Sequence, residues 1–85
     1  MADVIVTFRV MPKGVEINLE NLAKKIANAI SPEKIEREPI AFGLEALIIT
    51  KIIPDAGGEL EKIETSLRAI EEVSEVDVIK ITRAI

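Results

Sequence analysis

The chemistry open to this chain is limited by what it lacks. Its 85 residues include no cysteine and no histidine. No disulfide, thiolate nucleophile or cysteine-ligated metal is therefore possible, and the usual neutral-pH acid–base group and commonest metal ligand are missing with histidine. Carboxylates remain, with amines such as Lys13 and the hydroxyls of Thr7, Ser31, Thr50, Thr65, Ser66, Ser74 and Thr82. None of these has an activating base beside it in sequence. Glu59, Glu61, Glu64, Glu71, Glu72 and Glu75 gather on one segment. The pattern reads as the solvated face of a helix, because a divalent ion needs convergent oxygen ligands rather than a charge run. Gly57-Gly58 stands before that helix, where backbone N–H groups attract anions. Neither G-x-x-x-x-G-K-[ST] nor G-x-G-x-x-G accompanies it, so a turn with positive φ is expected. The expectation is a protein that is not an enzyme, with no cofactor and no metal.

The elements that position these residues belong to one small domain spanning 1–85, able to bury roughly 60–65% of the surface of its unfolded chain. Hydrophobic residues at 48% and charged residues at 31% suit a soluble globular fold. Apolar runs such as Ala46 to Ile49 fall far short of the ~20 residues that span a bilayer, and the N-terminus shows no signal-peptide pattern. A cytoplasmic protein with no membrane partner is expected. The net charge is −4, and lysine and arginine form no cluster that would track a phosphate backbone. That argues against direct contact with nucleic acid. Heavy use of isoleucine, glutamate and lysine suits a thermophilic source.

Periodicity divides the chain into two similar halves. Val4, Val6, Phe8 and Val10 alternate with Ile5, Thr7, Arg9 and Met11, which predicts a half-buried strand over Asp3 to Met11. Asn18 can cap a helix bearing Leu19, Leu22, Ala23, Ile26 and Ile30 at helical spacing, and Pro32 stops it. Glu20 and Lys24 are spaced as an i,i+4 pair, as are Glu64 and Arg68. Lys34 to Ile40 is charged and contains Pro39, which predicts an edge strand or one beside a bulge. Leu44 to Ile53, with its run LIITKII, predicts a central strand. Pro54 to Gly58 is a turn. Leu60, Ile63, Leu67 and Ile70 then mark a second helix that ends across Glu71 to Glu75, and Val76 to Thr82 is a fourth strand. Right-handed crossovers applied to βαβ followed by βαβ give an α+β, ferredoxin-like sandwich: a four-stranded antiparallel sheet with both helices on one face.

That fold carries many unrelated activities. Acylphosphatases share it, but hold phosphate with an arginine and an asparagine, whereas the loop MPKGVEIN offers only Lys13 and Asn18. RNA-recognition domains share the topology and stack bases on sheet aromatics. Here the only aromatics are Phe8 and Phe42, and Phe8 alone is no platform.

Phe42 stands in PIAFGLEAL, residues 39–47, beside Gly43, which predicts a turn. Followed by IITKIIPD, this stretch resembles the guanine-nucleotide exchange domain of the translation elongation factor 1-beta family, in its short archaeal form. The family pattern Pro-Ile-[Ala/Gly]-Phe-Gly-[Leu/Ile] is matched in order by Pro39, Ile40, Ala41, Phe42, Gly43 and Leu44. The first strand ending in Met-Pro, the helix pattern NLENLAKKI and the ending VDVIKITRAI resemble it too, so the likeness covers essentially the whole chain.

The resemblance implies an exchange factor that binds the GDP form of elongation factor 1-alpha and speeds GDP release so that GTP can load. It also implies two contact residues. A phenylalanine matching Phe42 lies in the loop between strands two and three and touches the GTPase, with Gly43 permitting a tight turn or a close approach of the partner. In eukaryotic members a lysine next to the C-terminal residue reaches toward the Mg²⁺ and phosphate region. Counted from Asp77, its position is taken here by Arg83, which keeps the charge but carries a bulkier planar fork. The free domain is expected to be a monomer. The alternative is a small ferredoxin-like module that senses a ligand or oligomerises.

Overall fold

Val6, Phe8 and Val10 lie on one side of the first strand and are all but inaccessible to solvent, with Phe8 at 0% exposure in the middle of the core. In the computed structural model, which describes residues 3–54 and 58–84, that strand is β1, Asp3–Pro12. It is followed by α1 (Leu19–Ile30), β2 (Lys34–Ala41), β3 (Leu44–Pro54), α2 (Glu59–Arg68) and β4 (Val73–Ala84). The sheet order is β2-β3-β1-β4 and every pairing is antiparallel. Leu22, Ile26 and Ile30 of α1 and Ile63 and Leu67 of α2 join the Val6–Phe8–Val10 side of β1 in one core cluster. Both helices therefore cover the same face. This is the ferredoxin-like α+β sandwich expected from the sequence.

Local chemistry explains the element ends. Asn18 Oδ1 accepts from the Asn21 N–H at 3.1 Å and caps α1. Ser31 closes the helix in the left-handed region at φ 47°, its N–H donating to the Ala27 carbonyl, and Pro32 prevents continuation. β2 is an edge strand, and its register with β3 shifts between Pro39 and Ala41, where the proline cannot donate to the ladder. β3 and β1 occupy the centre of the sheet.

Three details differ from the sequence reading. First, α2 ends at Arg68, and β4 begins at Val73 rather than Val76. The glutamates over 71–75 favour a helix locally, but the Glu72 carbonyl accepts from the Lys13 N–H at 2.9 Å and Val73 pairs with Pro12, which fixes the segment as extended chain. The acidic group is accordingly split: Glu59, Glu61 and Glu64 lie on α2, and Glu75 lies on β4. Second, β4 shifts register against β1 at two places, leaving Ser74 and Ile79 without partners in the ladder. Such bulges reverse the alternation that a regular strand would keep. Third, Glu20 lies 3.9 Å from Arg37 on β2 instead of pairing with Lys24, whereas Glu64 and Arg68 pair at 3.2 Å as their spacing implies. Of the expected turn over Pro54 to Gly58, residues 55–57 lie outside the described residues. Pro54 ends β3, and Gly58 adopts φ 90° before α2.

Candidate functional site

β2 and β3 are joined by two residues, Phe42 and Gly43, with Ala41 and Leu44 paired across the hairpin. Phe42 has φ 52° and Gly43 has φ 79°, so both central residues are left-handed, as in the primed turn that matches strand twist. Glycine adopts that conformation freely, and the space around Gly43 is open. Phenylalanine does not: the left-handed region costs an L-residue roughly 1–2 kcal/mol. Phe42 is also fully exposed, at 102% of its reference area. A bulky aromatic held in a strained conformation with its ring in water forgoes both backbone comfort and hydrophobic burial. Positions of that kind concentrate where a surface makes contact with something else.

Arg83, the second residue singled out by the sequence, lies far from Phe42. It pairs with Val4 on β1, which in turn pairs with Ile53 on β3. From Leu44 to Ile53 the strand advances nine residues, or about 30 Å at the rise of an antiparallel strand. The molecule is 42 Å long. Phe42 and Arg83 thus mark its opposite ends, and the structure does not gather them into one cleft. Arg83 is exposed and has no ion-pair partner among the described residues.

Charge follows the same axis. Between Phe8 and the hairpin, the strands carry Glu36, Glu38, Glu45, Glu75 and Asp77, against Arg9 and Arg37. Arg9 lies 4.0 Å from Glu38 and 3.9 Å from Asp77 across the open face of the sheet. On the other side of Phe8 the described strand residues carry Lys34, Lys51, Lys80 and Arg83, against Asp3. The exposed large apolar residues divide likewise, with Val15, Ile40 and Phe42 toward the hairpin and Ile52, Ile79 and Ile81 toward Arg83.

The remaining sequence candidates are occupied with structure. Asn18 is used as a helix cap, its side-chain oxygen accepting from the Asn21 N–H. Among the described residues no three carboxylates converge as a metal site would require. Glu72 receives a hydrogen bond from the Lys25 ammonium, and this contact holds its carboxyl below the ordinary glutamate range. That tie links α1 to the turn before β4. Sequence reasoning passed over Val15, Ile79 and Ile81. An apolar residue inside the turn-forming stretch Lys13-Gly14-Val15 was the available signal for the first. Alternation with Val76 and Val78 was the signal for Ile79, and only Ile81, which the bulge at Ile79 brings opposite Val6, had none.

Fold and surface together define a two-layer sandwich whose exposed apolar side chains lie toward its two ends. The sequence model of the EF-1 guanine nucleotide exchange domain matches residues 5–84, and the chain belongs to that family. Proteins named elongation factor 1-beta are similar along nearly their whole length. The one from Methanothermobacter thermautotrophicus is 44% identical over 98% of this chain and 98% of its own. That from Methanoregula boonei is 41% identical over 96% of this chain and 98% of its own, and that from Thermofilum pendens is 44% identical over 98% and 97%. Membership of the family supports a nucleotide-exchange role in translation elongation.

Proposed function

We propose that this chain accelerates the release of GDP from elongation factor 1-alpha, binding the GDP form through the Phe42–Gly43 hairpin and acting on the nucleotide site through Arg83. The fully exposed, left-handed Phe42 carries this reading. The chain works as a monomer in the cytoplasm, and it is an exchange factor rather than an enzyme transforming nucleotide.

The physics of exchange suits such a body. A GTPase of this kind holds GDP through phosphate contacts and a Mg²⁺ ion ligated by a P-loop hydroxyl. A partner that binds best when those contacts are disturbed must weaken nucleotide binding, and nucleotide must weaken the partner to the same degree. Each tenfold loss of GDP affinity corresponds to about 1.4 kcal/mol of coupling. A rigid strut can supply it: contact made at the hairpin fixes where the far end lies, and the Arg83 cation then competes electrostatically with the GTPase's Mg²⁺. β1 and β3, central in the sheet and backed by the core, form that strut.

The test is release of fluorescent GDP from elongation factor 1-alpha in the presence of excess unlabelled nucleotide. The reading requires the rate to rise with domain concentration to a plateau well above the unassisted rate. An unchanged rate at the highest concentration of folded domain overturns it.

A further inference from the structure

Turn tips are ordinarily filled by Gly, Pro, Asn, Asp or Ser. At the hairpin end of this molecule two tips carry large apolar side chains instead. One is Phe42. The other is Val15, 66% exposed, inside the turn that the Ile17 N–H closes by donating to the Gly14 carbonyl at 3.3 Å. The loop around Val15 is tied on both sides. Before it, the Lys13 N–H donates to the Glu72 carbonyl at 2.9 Å. After it, Ile17 packs against the core and Asn18 caps α1.

A groove of about 360 Å³ connects the two tips, with Val15 and Leu19 on one side, Gly43 and Leu44 on the other, and Glu20 and Arg37 between them. Gly43, Leu44 and Glu45 also line the shallow groove around Ile40 and Phe42. The Val15 surface is thus continuous with the Phe42 surface. A single exposed valine is ordinary. Val15 is distinguished by a backbone held on both sides and by opening onto the groove that the Phe42 hairpin also borders. The acids lining the groove, Glu20 and Glu45, outnumber Arg37, whose guanidinium is drawn toward Glu20.

We infer that Val15 is a second anchor of the docking surface begun by Phe42, and that a GTPase segment covers both tips with lysine or arginine flanks lying in the polar groove between them. This rests on the exchange reading above. Because both tips are already ordered, little conformational freedom is lost when they are covered. Two apolar anchors surrounded by polar residues are the usual composition of an energetic centre in an interface. The acidic surround fixes register against a basic partner surface.

The experiment titrates wild type, Val15→Ser, Glu45→Lys and Phe42→Ala into GDP-bound elongation factor 1-alpha, by calorimetry and by GDP release. Circular dichroism melts establish that each variant is folded, and serine suits the turn. Val15→Ser is expected to raise Kd and the half-saturating concentration about tenfold, or ~1.4 kcal/mol. A change smaller than about twofold, well under ~1 kcal/mol, overturns the second anchor. Glu45→Lys is expected to weaken binding, and equal or tighter binding overturns the basic flanks. If wild type itself neither binds nor accelerates release, the exchange reading fails and the inference fails with it. If wild type is active and Phe42→Ala is impaired while Val15→Ser matches wild type, only the inference fails.

Discussion

The two ends of this sandwich are built from different materials. At the hairpin end, apolar side chains project from short turns pinned by hydrogen bonds, and the strands around them are mainly acidic. At the other end, an exposed arginine lies near the end of a strand beside lysines, and its apolar neighbours Ile79 and Ile81 stand within β4 rather than at a tight turn. Apolar anchors contribute affinity through buried area, whereas charge acts at longer range and on specific ionic contacts. In the proposed exchange role, binding falls to one end and disturbance of the nucleotide site to the other, with the sheet setting the distance between them.

The largest expected effect is on binding. Phe42→Ala removes the whole projecting ring and should weaken the complex roughly 30-fold or more, in the range of an interface hot spot. Calorimetry checks it, and a Kd near wild type would dissolve the contrast between the ends.

A smaller effect sharpens the same contrast by separating stability from function. Phe42→Asn places a residue that tolerates the left-handed region at the strained position and removes exposed apolar surface. The free domain should gain about 1 kcal/mol, which raises Tm by roughly 4–8 °C in a domain of this size, while partner binding weakens as it does in Phe42→Ala. A melting temperature at or below wild type would show that Phe42 is not strained in the free hairpin.

The smallest effect concerns how the hairpin end is held. Glu72 is tied to Lys25 by its side chain and to Lys13 by its carbonyl. Its lowered folded pKa means that the tie contributes stability above the ordinary glutamate range, and that this contribution is lost as pH falls through the lowered value. Glu72→Gln should therefore melt below wild type near neutral pH, with the difference narrowing as pH is taken to about 4 and lower. Melting curves across pH check this. A difference that does not vary with pH would mean that the carboxylate charge is not what matters.

Much of the frame could be read from residue order. The alternation of Val4 to Val10, the Asn18 cap, the proline in β2 and the apolar run of β3 each have a local physical cause, and local causes survive folding. The limits of α2 and β4 were not legible, because the glutamates over 71–75 favour helix while their actual state depends on pairing with a strand sixty residues earlier in the chain. Within the site, PIAFGL marked the hairpin but not the direction of Phe42. An aromatic beside a glycine can plug a core or leave it, and only the two-residue connection with both φ values positive turns the ring outward. Val15 was hidden for another reason. Its meaning comes from a groove shared with a hairpin nearly thirty positions away.

The most direct test of a binding end and an acting end is GDP release from elongation factor 1-alpha, measured against the concentration of wild type, Phe42→Ala and Arg83→Ala. The account predicts that Phe42→Ala shifts the curve to higher concentration, while Arg83→Ala lowers the plateau about tenfold, equivalent to ~1.4 kcal/mol of lost coupling. Two folded variants that both release GDP with the wild-type curve, or an Arg83→Ala whose only change is a shift in concentration, would contradict it.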